Sequence, residues 1–150
     1  LDTGIHPFAA GEAGAKEKAG RMALLELAQT QGMCVMGAQW LRGMVHPSVQ
    51  GTALFEQILD MLERSSPAQF DAQIAALLGR PDAAPVLPTI TCPTLVLTGR
   101  EDLWSPPEQH AAIASAIPGA KLVIVEQCGH MATVEQPQAV NAAFADWLAR

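Results

Sequence analysis

Apolar residues recur at helical spacing through the first half of the chain, then change to short unbroken runs in the second. Residues 1–10 read as the end of a core strand running into a loop, punctuated by Gly4 and Pro7. Residues 11 to about 80 are helical in pattern throughout. Met22, Leu25 and Leu27-Ala28 mark a first helix. Met36, Trp40, Leu41, Met44 and Val45 share a face of a second, which His46-Pro47 stops. Leu54, Phe55, Ile58, Leu59 and Leu62 form the stripe of a third. Ser66-Pro67-Ala68-Gln69 opens a fourth, with Ser as N-cap, Pro at the first helical position and Gln three residues beyond the cap. Gly79-Arg80-Pro81-Asp82 closes it.

Residues 85–150 follow another rule. The apolar, β-branched run Pro93–Thr98 ends at Gly99 and predicts a buried strand. Ser105-Pro106-Pro107-Glu108 has capping-box spacing and opens a helix to about Ile117. Lys121–Val125 predicts a second buried strand, and Val140, Ala143, Phe144, Trp147 and Leu148 the apolar face of a last helix. Strand, helix, strand, helix is the order of an α/β fold, a parallel sheet with crossover helices. Two parallel strands apolar on both faces do not make a stable sheet alone. The remaining strands are therefore expected from an upstream part of the same protein.

Composition agrees with that expectation. Hydrophobic residues are 49 % of the 150 and mean hydropathy is +0.18, which suggests apolar surface that something else covers. A net charge of −6 without Lys/Arg clusters gives no case for nucleic acid or for a polybasic membrane anchor. No apolar run is long enough for a bilayer, and Leu1-Asp2-Thr3-Gly4 has no signal-peptide character. Cys34, Cys92 and Cys128 are sparse, odd in number and lack C-x-x-C spacing, so a cytoplasmic protein with buried thiols is expected.

Candidate chemistry lies just past the two strands. Gly99-Arg100-Glu101-Asp102 follows the first, and Gln127-Cys128-Gly129-His130-Met131 the second. In open α/β sheets that edge is where ligands bind. A carboxylate and an imidazole delivered there can hydrogen-bond, the carboxylate setting the tautomer and stabilising the imidazolium. Either residue alone reads more simply as a turn or packing residue; together, acid before base, they point to catalysis. Glu101 is the neighbouring acid, His110 a solvated or packed helix residue, His46 a helix end and His6 a loop residue. Cys128 is expected to turn into the core, and its grouping with Glu101, Asp102 and His130 matches no zinc spacing.

Ile90-Thr-Cys-Pro-Thr-Leu-Val-Leu-Thr-Gly-Arg-Glu-Asp102 resembles the segment around the triad acid of the α/β-hydrolase superfamily. Ile117–Val125, Gly129-His130-Met131 and Glu135-Gln136-Pro137 resemble the segment around its histidine. The resemblance, closest to the esterase and enol-lactonase-like group, covers essentially the whole chain. It implies the C-terminal half of that fold, with residues 1–10 ending a core strand, 11–84 a helical cap and 85–150 the C-terminal part of the core. It also implies Asp102 as triad acid, His130 as base, and hydrolysis of ester or lactone bonds of small, fairly apolar molecules. Trp40 and Met131 are candidate substrate contacts; no metal and no cofactor are implied. No Gly-x-Ser-x-Gly occurs in the chain, so the nucleophile and oxyanion donors are expected from the missing N-terminal half of the same fold. The alternatives are a dehalogenase-like or carbon–carbon bond hydrolase on the same scaffold, and a non-catalytic or truncated protein of this fold. On this reading the isolated chain associates or aggregates and is inactive. Light scattering checks it, and a clean monomer that unfolds cooperatively would sink the expectation of missing strands.

Overall fold

The structure, a computed structural model, describes residues 1–149. The chain forms two compact units. One is helical and spans His6–Gly43 and Gly51–Asp82; the other takes Leu1–Ile5, Met44–Gln50 and the chain from Ala83 onward. No described helix is long and apolar enough to cross a membrane.

The helical unit comprises α1 (Gly11–Gln31), α2 (Met33–Leu41), α3 (Ala53–Glu63) and α4 (Pro67–Leu78). Its starts are chemically marked. Thr52 caps α3 by accepting from the Phe55 N–H. Ser66 and Gln69 form the reciprocal capping box of α4, at 3.2 and 3.0 Å, as the sequence spacing predicts. Ala28, Met33 and Met36 are buried, with Leu24, Leu27, Trp40 and Phe70 packed around them.

The second helix is shorter than its apolar spacing predicts. α2 ends at Leu41, and Met44 and Val45 are buried in the other unit, followed by a 3-10 turn at Pro47–Val49. Met44 continues the four-residue rhythm of Met36 and Trp40, and Val45 that of Leu41, but both residues belong to the other unit. Periodicity along the chain carries no label for which core an apolar residue enters.

In the second unit a 3-10 stretch at Ala84–Thr89 leads to β1 (Leu95–Gly99), α5 (Pro107–Ala116), β2 (Lys121–Val125), α6 (Ala132–Glu135) and α7 (Pro137–Leu148). β1 and β2 pair in parallel, in register from Leu95 opposite Lys121 to Gly99 opposite Val125. Successive side chains of β1 leave on opposite faces. Leu97 joins Val125, Cys128, Ala132, Val140 and Ala143, whereas Val96 joins Leu87, Ile113 and Ile117. The sheet is thus covered by α7 on one face and α5 on the other, as a parallel sheet requires. Thr94 and Arg100 bond to β2, so the intervening Leu97 carbonyl points to the opposite edge, where it accepts the Asp2 N–H at 3.2 Å. The N-terminal segment therefore flanks β1.

Two expectations need correction. β2 is only half-buried from Lys121 to Ile124, because β1 has backbone neighbours on both edges and β2, among the described residues, on one. Ser105 does not cap α5: Pro106 holds the N-cap position without a side-chain bond, and the Ser105 N–H goes to Asp102 instead. Leu97 is fully buried between β1 and α7. Leu97→Ala should lower stability by about 3 kcal/mol, read as a lower urea midpoint at unchanged slope.

Candidate active site

Parallel pairing brings the C-terminal ends of β1 and β2 to one edge, and backbone bonds then fasten the two loops that follow. Arg100 N–H donates to Val125 O at 2.8 Å, Glu101 N–H to Cys128 O at 2.9 Å, and the Glu101 carboxylate accepts the Cys128 N–H at 2.9 Å. Gly99 permits this approach, since a Cβ there would fall on the carbonyl oxygens of Cys128 and Gly129. Glu101, the runner-up acid in the sequence, is therefore occupied in joining the loops.

Asp102 and His130 meet across this junction. Asp102 Oδ2 lies 2.9 Å from His130 Nδ1, and Oδ1 accepts the N–H groups of Trp104 and Ser105, both at 2.9 Å. The Thr98 hydroxyl approaches Oδ2 at 3.4 Å. Asp102 is 2 % exposed. Burial raises its pKa, but the His130 hydrogen bond and the Ser105 and Trp104 amides outweigh this and hold it below the ordinary carboxylate value. Burial likewise lowers His130; its bond to Asp102 and the charges of Asp102, Asp2 and Glu135 outweigh that and hold it above the usual imidazole value. With Asp102 ionised, Nδ1 carries the hydrogen and Nε2 is left basic.

Three further ionisable groups lie nearby, with partners that the sequence did not reveal. Asp2 sits in the left-handed backbone region at φ 44°, which Asp tolerates better than most residues, and its Oδ1 is buried without a partner among the described residues. Burial, with repulsion from Asp102 and despite attraction to His130, pushes Asp2 up to about 6. Glu135, 9 % exposed, accepts three backbone N–H groups around the histidine loop. His110 is packed rather than solvated, at 1 % exposure. Its Nε2 accepts the Thr3 N–H at 3.2 Å, so its hydrogen lies on Nδ1, toward Pro106 O. Burial lowers its pKa, which keeps it neutral.

The other candidates separate. Cys128 is fully buried in the core beside α7, and burial pushes its thiol up to about 12, so it is no nucleophile. Cys34 and Cys92, expected buried, are exposed. The His46 ring bonds to its own turn through Ser48, and His6 is exposed. Met131 is half-buried, and its N–H is one of those bound by Glu135. Trp40 belongs to the helical unit, where with Met33, Met36, Phe70 and Ile74 it lines an apolar cavity of about 330 Å³ that Arg21 also borders. Among the described residues no three His, Cys, Asp or Glu side chains are arranged to hold a metal.

A family model described as the alpha/beta hydrolase family matches residues 4–143. The chain belongs to the α/β-hydrolase family. Among solved α/β-hydrolases it is similar to a thermophilic esterase from Thermogutta terrifontis, at 31 % identity and a TM-score of 0.84, covering 99 % of this chain and 53 % of that one. It shares the fold of the enol-lactonase from Burkholderia xenovorans LB400, at 24 % identity and a TM-score of 0.76, covering 86 % and 50 %. A curated relative, a 2-hydroxy-6-oxononadienedioate/2-hydroxy-6-oxononatrienedioate hydrolase of a Pseudomonas species, is 33 % identical over 81 residues, 54 % of this chain and 29 % of its own length. The chain thus spans about half the length of these solved structures and less than a third of that relative. The fold is accordingly the C-terminal part of an α/β-hydrolase.

Asp2 yields a stability prediction. Its folded pKa of about 6 exceeds the ordinary 3.8, so its stabilising contribution is present below about pH 4 and lost as pH rises through 6. Asp2→Asn should therefore leave stability unchanged near pH 4 and raise it by about 1 kcal/mol, discounted for solvent screening, at pH 8. Urea unfolding at the two pH values checks this.

Proposed function

We propose that this chain is the acid- and base-bearing part of an α/β-hydrolase that cleaves ester or lactone bonds of small, fairly apolar molecules through a Ser-His-Asp triad. The carrying observation is the 2.9 Å contact of buried Asp102 with His130 Nδ1, which leaves Nε2 as the base. The serine and the oxyanion donors come, in this proposal, from an N-terminal half of the same protein. His130 Nε2 takes the serine proton as the oxygen attacks the carbonyl, then returns it to the leaving alkoxide. A water deprotonated by the same nitrogen then releases the acid and restores the serine. Asp102 stabilises the imidazolium at each stage. Residues 11–84 are proposed as the cap, Trp40 and Met131 as substrate contacts, and the cytoplasm as the compartment. Similarity to the Thermogutta esterase over nearly the whole chain supports the ester reading.

A second reading is carbon–carbon bond hydrolysis on the same triad, favoured by the Pseudomonas relative. The substrate in that relative's name has no ester or amide, so its hydrolysis must break a carbon–carbon bond beside the ketone. The test uses the full-length protein with p-nitrophenyl butyrate and, separately, a 2-hydroxy-6-oxo-dienoate. Wild type should turn over the ester, with kcat/KM rising as His130 deprotonates at a pH above the ordinary imidazole value of 6.5. His130→Ala and Asp102→Asn should each lower kcat by about 10²–10⁴-fold with an unchanged circular dichroism spectrum. Turnover of the dienoate alone would select the second reading, and normal turnover by His130→Ala would remove the base from its role.

A further inference from the structure

The loop that carries His130 is fastened by a carboxylate outside the acid–base pair. Glu135 closes α6, a single helical turn, and its side chain reaches back over that turn. Oε2 accepts the N–H groups of His46 at 2.7 Å and Gly129 at 3.1 Å, and Oε1 accepts that of Met131 at 2.9 Å. Gly129 and Met131 are the residues on either side of His130. The N–H of His130 itself donates to Met44 O at 2.7 Å. The amides of three consecutive residues are therefore all held, two by Glu135 and one by the Met44–Gln50 segment, and Glu135 also holds that segment. Gly129 lets the segment lie this close: a Cβ there would stand 2.7 Å from His46 N and Met44 O and 2.8 Å from Val45 C. A buried carboxylate with three N–H donors makes charge-assisted bonds, about twice as strong as neutral ones.

We propose that Glu135 is a positioning residue for His130, clamping the histidine backbone between α6 and the Met44–Gln50 segment so that the ring meets Asp102 in the geometry that catalysis requires. The inference rests on the proposed role of His130 as base. Displacement of a catalytic group by about 1 Å costs on the order of 10²-fold in rate, so a clamp on its backbone is worth that much to the chemistry. The segment continues directly into α2 on one side and α3 on the other. It is thus a stretch of backbone from the middle of the helical sequence that holds the base. Glu135 also acts through charge. The ionisable groups that raise the His130 pKa are Asp102 from the loop after β1, Asp2 from the N-terminal segment and Glu135 from α6.

Position and charge separate in two variants of the full-length protein. Glu135→Gln keeps the shape, but its amide nitrogen must face either the His46 and Gly129 donors or the Met131 donor, so one side of the clamp opens. Gly129→Ala drives the segment away by steric contact and leaves the carboxylate in place. With p-nitrophenyl butyrate, Glu135→Gln should lower kcat by about 10–100-fold with KM within about twofold, the signature of a misplaced base rather than lost substrate contacts. NMR titration of the His130 ring should place its pKa below wild type. Amide exchange at His46, Gly129, His130 and Met131 should quicken together while β1 stays protected. Gly129→Ala should reproduce the kcat loss and the faster exchange with the His130 pKa little moved. Wild-type exchange at these four amides in Glu135→Gln overturns the proposal, as does a kcat per folded molecule equal to wild type. If wild type itself does not hydrolyse the ester, the functional reading falls, and the exchange and titration still decide the clamp. If Glu135→Gln fails to fold, Gly129→Ala carries the same test.

Discussion

A carboxylate taken out of water must be surrounded by hydrogen-bond donors, and Asp102 is the point where this requirement shapes the rest of the unit. One oxygen takes the amides of Trp104 and Ser105, which makes the chain turn sharply after β1 and sets where α5 begins. The other oxygen takes the ring of His130, which must then come from a neighbouring strand end. Parallel pairing of β1 with β2 meets that demand, and the bonds from Arg100 and Glu101 to the loop after β2 keep the two ends together. The glycine at 99 is the steric condition for the same approach. Fold and site are thus consequences of one arrangement rather than a site placed on a finished scaffold.

The electrostatics follow from how much donor capacity each buried acid finds. Asp102 finds enough and stays ionised; Asp2 has one buried oxygen without a partner among the described residues and is pushed toward protonation near neutral pH. Two carboxylates near one imidazole therefore behave differently: Asp102 gains the His130 ring and then the Ser105 and Trp104 amides as donors, whereas burial dominates at Asp2. His110, buried and neutral, shows the opposite sign of the same effect. It fixes the N-terminal segment through Thr3 without adding charge near the pair.

Much of this was legible in the order of residues. The capping box at Ser66 and Gln69, the apolar runs of β1 and β2, the pairing of Asp102 with His130 and the inward turn of Cys128 all follow from local rules, because caps, strand periodicity and strand-end placement depend on residues a few positions apart. The α/β-hydrolase resemblance rested on the same local motifs. Other features were not legible. Met44 and Val45 fitted the rhythm of α2 and belong to the other unit, Ser105 resembled a cap and became a donor to Asp102, and Lys121–Ile124 looked fully buried and is only half so.

What the sequence determined by itself was most of the helices and both strands, and that a carboxylate and an imidazole, Asp102 and His130, would be delivered to one sheet edge. The tertiary structure alone decided that Glu135, 89 positions from His46, would bind that residue's amide and both neighbours of His130. It also decided that Asp2 would lie beside β1 with its charge near His130. Local pattern reports which face of an element is apolar; it does not report which distant backbone donors will converge on a carboxylate. That convergence is set by strand pairing and by the path of the chain between cores, and it exists only once the chain has folded.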